Sequence, residues 1–437
     1  MRSTISLFAL ALAATATRAA ADTPQLRPSI YDNVYDLNQI DPATAGPTTV
    51  AVPPPRRKPD EDPYAPLGIT AGAFTLFPSL TLGVGTTSNA TSSAGGKPGS
   101  FWTVAPALDI RSNWDTNSAS LMLSGAYENF FDDAAPDEPT GAAAGTLHLD
   151  MANRFSADFS GGVSYAEQSL SDPNYPAGAD KPPGVIGMNG TAALNGGFGR
   201  FEFTLAGGAV RTVYEDATSG GSTVDQGDRT NTLYSGRLRL GYDFTQTLTP
   251  FVETEVGRRL YDRGLDNEGF DRAATSYALR AGIEINRDPV LKGEVAIGAI
   301  HEAFDDTRLA DIDAIDFEGT LTWSPRRLLT ITLSGNTTLD PTTNVASSGS
   351  ALYAGSLDVA YAWRRNVTFD WISSISNEDY QGTGEVDTTV ETGLSATWKL
   401  NRELQLIASY AHQWLVSNDP SLPYQSDTVR AELKFQR

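Results

Sequence analysis

Hydrophobic and polar positions alternate along this chain with a period of two, from about residue 66 to the C-terminus. In the segment 72–85, Phe74, Leu76, Leu80, Leu82 and Val84 share one parity; Ala73, Thr75, Ser79, Thr81 and Gly83 share the other. The segment 101–114 repeats the pattern, with Trp102, Val104, Leu108, Ile110 and Trp114 against Thr103, Asp109, Arg111 and Asn113. Near the end, Val386, Val390, Leu394, Trp398 and Leu400 oppose Asp387, Glu391, Ser395, Thr397 and Lys399. Such a period predicts strands whose two faces meet different media. About eighteen such segments follow one another, each of roughly ten or more residues, the length that crosses a bilayer at a slant.

A soluble sandwich also alternates, so the connections have to decide. They alternate between long and short. The nine long ones (87–99, 131–140, 169–184, 214–230, 262–272, 302–313, 340–349, 377–385 and 417–427) hold 25 acidic and 6 basic residues, net 19 negative. The short ones are basic, carrying Arg154, Arg200, Arg287, Arg326, Arg327, Arg364, Arg365, Lys399 and Arg402 against Asp115 and Asp288. Polarity alone does not put opposite signs at opposite ends of the strands. The alternation of lengths is what a membrane barrel with both termini in the periplasm shows, with long outer loops and short inner turns.

Tryptophan and the charged residues sharpen this. All seven tryptophans (Trp102, Trp114, Trp323, Trp363, Trp371, Trp398 and Trp414) fall on the apolar parity. Trp114, Trp323, Trp363 and Trp398 close strands before short turns, where an inner aromatic girdle belongs. Tyr127, Tyr165, Tyr261 and Phe304 are candidates for the outer girdle. The opposite parity carries Asp109, Arg111, Arg237, Arg239, Glu253, Glu255, Arg259, Arg280, Glu284, Lys292, Glu294, Asp316, Glu318, Asp387, Glu391, Arg430, Glu432 and Lys434. Burying so many charges in a dry core costs several kcal/mol per unpaired ion, whereas barrels of 16 to 18 strands enclose water. These side chains are therefore the candidate pore lining. The fold class expected is all-β: a transmembrane antiparallel up-and-down β-barrel of about eighteen strands, of the outer-membrane type.

Composition fits this. Of 437 residues, 40% are hydrophobic and only 19% charged, with 40 Gly and a net charge of −21. The acidic balance argues against nucleic acid as a partner. Zero Cys removes disulfides, thiolate metal sites and Cys nucleophiles. At the N-terminus, Arg2, the apolar run Ile5 to Ala16 and Ala19-Ala20-Ala21 read as a secretory signal over 1–21. Residues 22–66 hold ten prolines and the run Arg56-Arg57-Lys58, and read as an extended periplasmic linker or tail. Residues 67–437 form the barrel.

The opening F-x-L-x-P-S-L-x-L-G-x-G followed by Asn89, and Pro106 within F-W-x-V-x-P-x-L-x-I-x-S-x-W, resemble the proteobacterial family called putative beta-barrel porins of the second type. Pro78 and Pro106 match that family's two early prolines. The resemblance spans nearly the whole chain and implies a signal, a Pro-rich lead and a barrel of this size. Some members are associated with exopolysaccharide operons. The chain ends Phe435-Gln436-Arg437 where outer-membrane barrels commonly end on an aromatic residue, but Phe435 keeps the apolar parity of Val429, Ala431 and Leu433.

Catalysis finds little support. His412 has lipid-facing parity but no nucleophile elbow accompanies it. His301-Glu302 with Asp305 and Asp306 reads as a solvated acidic loop, and His148 as a pore-wall donor. No catalytic residue, metal site or cofactor is assigned. The expectation is an outer-membrane channel for polar solutes, with an exit pore for a secreted polysaccharide, a general diffusion porin and a surface-exposed structural or adhesion barrel as the competing readings. The loop 214–230 is the candidate for narrowing the bore. Expected partners are outer-membrane lipid and lipopolysaccharide, the barrel-assembly machinery and, for an exit pore, a periplasmic polysaccharide-export component.

Overall fold

The structure, a computed structural model, describes residues 63–437 apart from 132–133, 152–153, 169–178, 180–181, 288 and 343–346. The expected signal, residues 22–62 of the Pro-rich segment and most of the loop 169–184 lie outside the described residues.

The strands are β1 (Ile69–Ala71), β2 (Phe74–Thr87), β3 (Gly99–Ser112), β4 (Ser118–Phe130), β5 (Glu138–Met151), β6 (Phe155–Glu167), β7 (Gly184–Phe198), β8 (Phe201–Tyr214), β9 (Ala217–Ser219), β10 (Ser222–Val224), β11 (Asn231–Tyr242), β12 (Leu248–Tyr261), β13 (Ala274–Arg287), β14 (Leu291–Phe304), β15 (Ile312–Arg326), β16 (Leu329–Pro341), β17 (Gly349–Arg364), β18 (Val367–Gln381), β19 (Val386–Lys399), β20 (Leu404–Ser417) and β21 (Tyr424–Gln436). Among the described residues there is no helix. Every pairing is antiparallel between chain neighbours, with the β9–β10 hairpin set into the connection from β8 to β11. The ring closes where β2 pairs with β21, from Ser79↔Gln436 to Thr87↔Thr428. Nineteen strands share this sheet; leaving out the three-residue β1, which folds back on the start of β2, the closed barrel has eighteen. Closure gives every strand of the ring a partner on both sides, which is what allows strands to cross a bilayer at all.

The two faces of the wall are opposite in character. Outward, Leu80, Leu82, Val84, Leu205, Val252, Leu279, Ile297, Leu394 and Val429 are exposed. Inward, Arg280, Glu253 and Asp316 are buried at 1%, 1% and 0% exposure. A water-soluble protein has the reverse arrangement; an apolar exterior around a polar interior fits a hydrocarbon surround. All seven tryptophans keep the outward parity, and Trp114, Trp323, Trp363 and Trp398 stand exposed at the short-turn rim. Trp102 donates to Asn129 Oδ1 at 2.9 Å, and Trp414 packs beside His412.

Proline shapes the seam. Pro106 lacks an amide hydrogen, so the β3–β4 ladder skips Ala105 and Pro106 yet resumes in unchanged register, Val104↔Tyr127 before and Ala107↔Ser124 after. The Pro78 carbonyl accepts the Arg437 amide at 3.1 Å, and Arg402 Nε donates to the Pro63 carbonyl at 2.8 Å. Both described chain ends therefore sit at the short-turn rim.

Three expectations need correction. Asn377 to Gln381 continue β18, with Asn377↔Thr388 and Asp379↔Val386 paired, so the loop expected at 377–385 shrinks to 382–385 and is no longer than the turn 400–403. Tyr261 and Phe304 do not join an outer girdle. Tyr261 shares the inward parity of Arg259, and Phe304 packs against the inward Ile312 and Leu339. Both stand at strand ends, where an aromatic residue looks like a girdle member whichever way it points.

Candidate functional site: the charged interior wall

The register of β11 to β15 brings the inward charges into contact. Arg237 stands opposite Glu255 and Arg239 opposite Glu253; Glu253 in turn stands opposite Arg280. Arg237 Nη2 lies 3.1 Å from Glu255 and its Nη1 3.8 Å from Glu318. Arg239 Nε lies 2.8 Å from Glu253, while its two terminal nitrogens fork onto Glu294 at 2.7 and 2.9 Å. Its guanidinium also covers the Phe251 ring at 4.0 Å. Arg280 is the hub: Nη1 reaches Glu253 at 2.9 Å and Glu255 at 3.0 Å, and Nε donates to Asp316 Oδ2 at 2.5 Å.

Arg280 reaches Asp316 because of a glycine. Arg280 pairs with Gly298 on β14, and Gly298 with Asp316 on β15, so the guanidinium spans a strand that offers no side chain at that level. A Cβ built on Gly298 falls 1.9 Å from the Leu279 carbonyl oxygen, so no other residue fits there. Three arginines thus share five carboxylates, and Arg280 Nη2 and Asp316 Oδ1 have no hydrogen-bond partner among the described residues. Multiple short bonds to each guanidinium are what make buried ion pairs tolerable. From their parity alone these side chains are expected to be individually wetted by a wide lumen. They are instead packed against one another.

The remaining candidates are separate. Glu284 stands opposite Glu294. Asp109 and Arg111 pair with each other near the short-turn rim, with Arg111 over Phe77. On the far side of the ring, Arg430 Nη2 lies 3.4 Å from the fully buried Glu128, a residue the sequence reading missed, and covers Phe101. Glu432 faces the same wall opposite Gly83, Glu391 stands opposite Gln413, and Asp387 stands opposite Ser417. The inward parity itself could have found Glu128. The aromatic beds, Phe251 and Phe101, carry no sequence signal beyond that parity.

The three histidines each bond to aspartate. His148 Nδ1 lies 2.6 Å from Asp158, inside the barrel. His301 lies 2.9 Å from Asp313, and His412 lies 2.8 Å from Asp427, both on the outer surface. Among the described residues, no group of three or more metal-ligating side chains occurs.

At the long-loop rim the acids are largely answered by arginines. Arg211 forks onto Asp262 at 2.9 and 2.6 Å and donates to Thr232. Arg258 repeats the arrangement with Asp305 at 2.8 and 2.5 Å and Thr275. These guanidinium bonds hold the Asp262 and Asp305 carboxyls below the usual carboxylate range. Arg308, by side chain and amide, holds Asp306 lower still, and the Arg263 side chain with the Gly227 amide lowers Asp225. Asp266 bonds the buried Arg272 at 2.6 Å. The loop 214–230 folds as its own small hairpin, tied to its neighbours through Asp225–Arg263 and the Asn267 amide on Asp228.

Residues 62–437 match the family model described as Putative beta-barrel porin 2. No curated protein matches the chain. Solved structures similar to it include the copper transporter OprC (9% identity, 85% of this chain and 81% of that chain, TM-score 0.45). The siderophore receptor PirA from Acinetobacter baumannii is similar at 8% identity (83% and 80% covered, TM-score 0.39). A mutant of the ferric enterobactin receptor PfeA from Pseudomonas aeruginosa is similar at 9% identity (84% and 81% covered, TM-score 0.40).

Proposed function

The chain belongs to the family described as Putative beta-barrel porin 2, and on that premise we propose that it is a channel that passes polar solutes across the outer membrane. The observation that carries this reading is the inverted wall: exposed leucines and valines outside, and a row of paired charges, Arg237, Arg239, Glu253, Glu255, Arg280 and Asp316, inside. A polar interior keeps a lumen wet where an apolar lining would dewet it. The short-turn rim with both chain ends faces the periplasm, and the acidic loops face outward. Outer-membrane lipid and lipopolysaccharide surround the wall, and the barrel-assembly machinery inserts it. No enzymatic role is assigned.

The test is conduction by the purified full-length protein in a planar bilayer. Stepwise currents are expected, with a weak cation preference that fades as salt screens the rim over about 10 Å at 0.1 M. The preference is weak because Asp262, Asp305 and Asp306 already hold arginines. A folded, inserted chain that never conducts, even with residues 24–62 deleted, contradicts this function and leaves the structural or adhesive reading.

A second reading is an exit pore for a secreted polysaccharide. Its support is the position of Pro63, held by Arg402 at the short-turn rim, so the Pro-rich segment before it leaves the barrel where a periplasmic export component would dock. Deleting residues 24–62 then abolishes polymer secretion while conduction by the purified barrel persists. Unchanged secretion removes this reading alone.

A further inference from the structure

One stretch of wall is not a wall. Elsewhere the strands keep at least one face partly exposed, but the loop-side halves of β16 and β17 are buried on both. Ser334, Thr337, Thr338 and Leu339, and across from them Ser350, Ala351, Leu352 and Ala354, are all at most 7% exposed. Leu339 and Ala351 belong to the parity that faces outward lower on the same strands, where Tyr361 and Trp363 are exposed. Here that face packs on Ile312, Ile300, Phe304 and Ala314, which are inward-facing residues of β14 and β15. The hairpin has therefore passed inside its neighbours.

The bend has a local cause. Gly319, Gly335 and Gly355 stand in register across β15, β16 and β17, and a row without side chains lets the sheet fold sharply. Just above that row the β15–β16 ladder stops at Glu318↔Asn336. No ladder pairs join Ile312 to Phe317 with β16 among the described residues. Thr337 Oγ1 stands in for the missing backbone, donating to the Ile315 carbonyl at 3.1 Å and accepting the Phe317 amide at 3.2 Å. Arginines then hold the folded hairpin by its carbonyls: Arg259 on Leu339 at 3.1 Å, and Arg272 on Thr342 and Ser347 at 2.6 and 3.0 Å.

Two patterns indicate a second position. If the ladder continued in the same register, Leu339 would stand beside Ile315 and Thr337 beside Phe317. Leu339, Ala351 and Tyr353 would then face outward together with Thr337, and Thr338, Asp340 and Ser350 inward together with Leu352 and Ala354, an arrangement that suits most of these side chains. Conversely, Ile300, Phe304 and Ile312 are apolar residues on an otherwise charged inner wall, and they form a patch only the folded hairpin covers. We propose that the loop-side half of the β16–β17 hairpin is a gate in the barrel wall: it pivots at the Gly319–Gly335–Gly355 row between an inward position over the charged cluster, latched by Arg259 and Arg272, and an outward position zipped onto β15. The β15–β16 seam opens in the first and closes in the second. This rests on the channel reading for its consequence but not for its existence.

The absence of cysteine makes a clean test in the full-length protein. Ile312→Cys with Ala351→Cys joins members of one buried cluster in the inward position; Ile315→Cys with Leu339→Cys joins an outward-facing side chain to one packed on the inner face of β15, and the two point the same way side by side in the outward position. Both pairs are expected to cross-link on oxidation, read as altered migration of the folded barrel on a gel. The oxidised inward pair loses open-channel current in a planar bilayer and recovers it on reduction, while the oxidised outward pair stays open. Failure of the outward pair to cross-link, alongside complete cross-linking of the inward pair, means the hairpin is fixed and overturns the gate. So does an inward cross-link that leaves conductance unchanged. Because cross-linking is read without current, a barrel that never conducts sinks the channel reading and still reports the hairpin's movement.

Discussion

Replacing Arg280 with methionine removes the hub of the interior network and keeps most of its volume. Arg280 and its partners Glu253 and Asp316 are at most 1% exposed, and Glu255 is 5% exposed. An exposed ion pair contributes about 0–1 kcal/mol, but these charges lie outside that regime. Removing one partner of a buried pair leaves uncompensated charge and costs about 3–5 kcal/mol. Here Asp316 loses its bond to Arg280 Nε while Glu253 retains Arg239, which places the expected loss toward the lower end, roughly 3 kcal/mol, or about a hundredfold in the folded-to-unfolded ratio. Denaturant unfolding of the barrel in detergent or bilayer, followed by the gel shift of the folded form, measures it. Adding Asp316→Asn to Arg280→Met should restore part of the loss, because the carboxylate that most depends on Arg280 is then neutral. A loss under about 1 kcal/mol, with no rescue by the second change, would mean that the charges are individually hydrated and the packed network is wrong.

Gly298→Ala should block assembly of the folded barrel, since its Cβ meets backbone at 1.9 Å, whereas Gly190→Ala, with nothing within 4 Å, should assemble normally; the gel shift of the folded form separates them. At the rim, Arg308 depresses the Asp306 pKa, so the tie's stabilisation is fully present above the unfolded carboxylate pKa and is lost progressively as pH falls from there through the lower folded one. Proteolysis of the 305–311 loop should therefore be slow at neutral pH in the native chain and rise with Arg308→Gln; equal rates at neutral pH would remove the tie.

Much of the barrel was legible because parity is a local property. Leu80, Leu82 and Val84 declare their face by alternation alone, and the same counting places Arg237, Glu253 and Arg280 on the other. Partnership was not legible. That Arg280 meets Asp316 depends on the offset between β13 and β15 and on Gly298 between them, and neither is written in any one segment. Tyr261 and Phe304 show what happens when residue type is preferred to parity, since counting from Arg259 and Glu302 puts both inside. The inward fold of β16–β17 was hidden for a different reason: Thr338, Leu339 and Asp340 alternate as a wall strand does, so the sequence describes the outward position while the structure holds the inward one. The segment folded inside the wall is this hairpin, whereas the loop 214–230 pairs with itself as β9 and β10.

The central claim is that the strands turn their charges inward and their apolar residues to lipid, and a nitroxide scan along β13 in a bilayer tests it most directly. Single cysteines from Tyr277 to Glu284, leaving out Gly282 where a Cβ meets the Val295 carbonyl at 2.6 Å, carry the label in the cysteine-free chain, and collision with oxygen dissolved in the lipid reports its surroundings. High oxygen accessibility is predicted at Tyr277, Leu279, Ala281 and Ile283 and low accessibility at Ala278, Arg280 and Glu284, a period of two. Oxygen accessibility at the Arg280 set, or no alternation at all, would contradict the account.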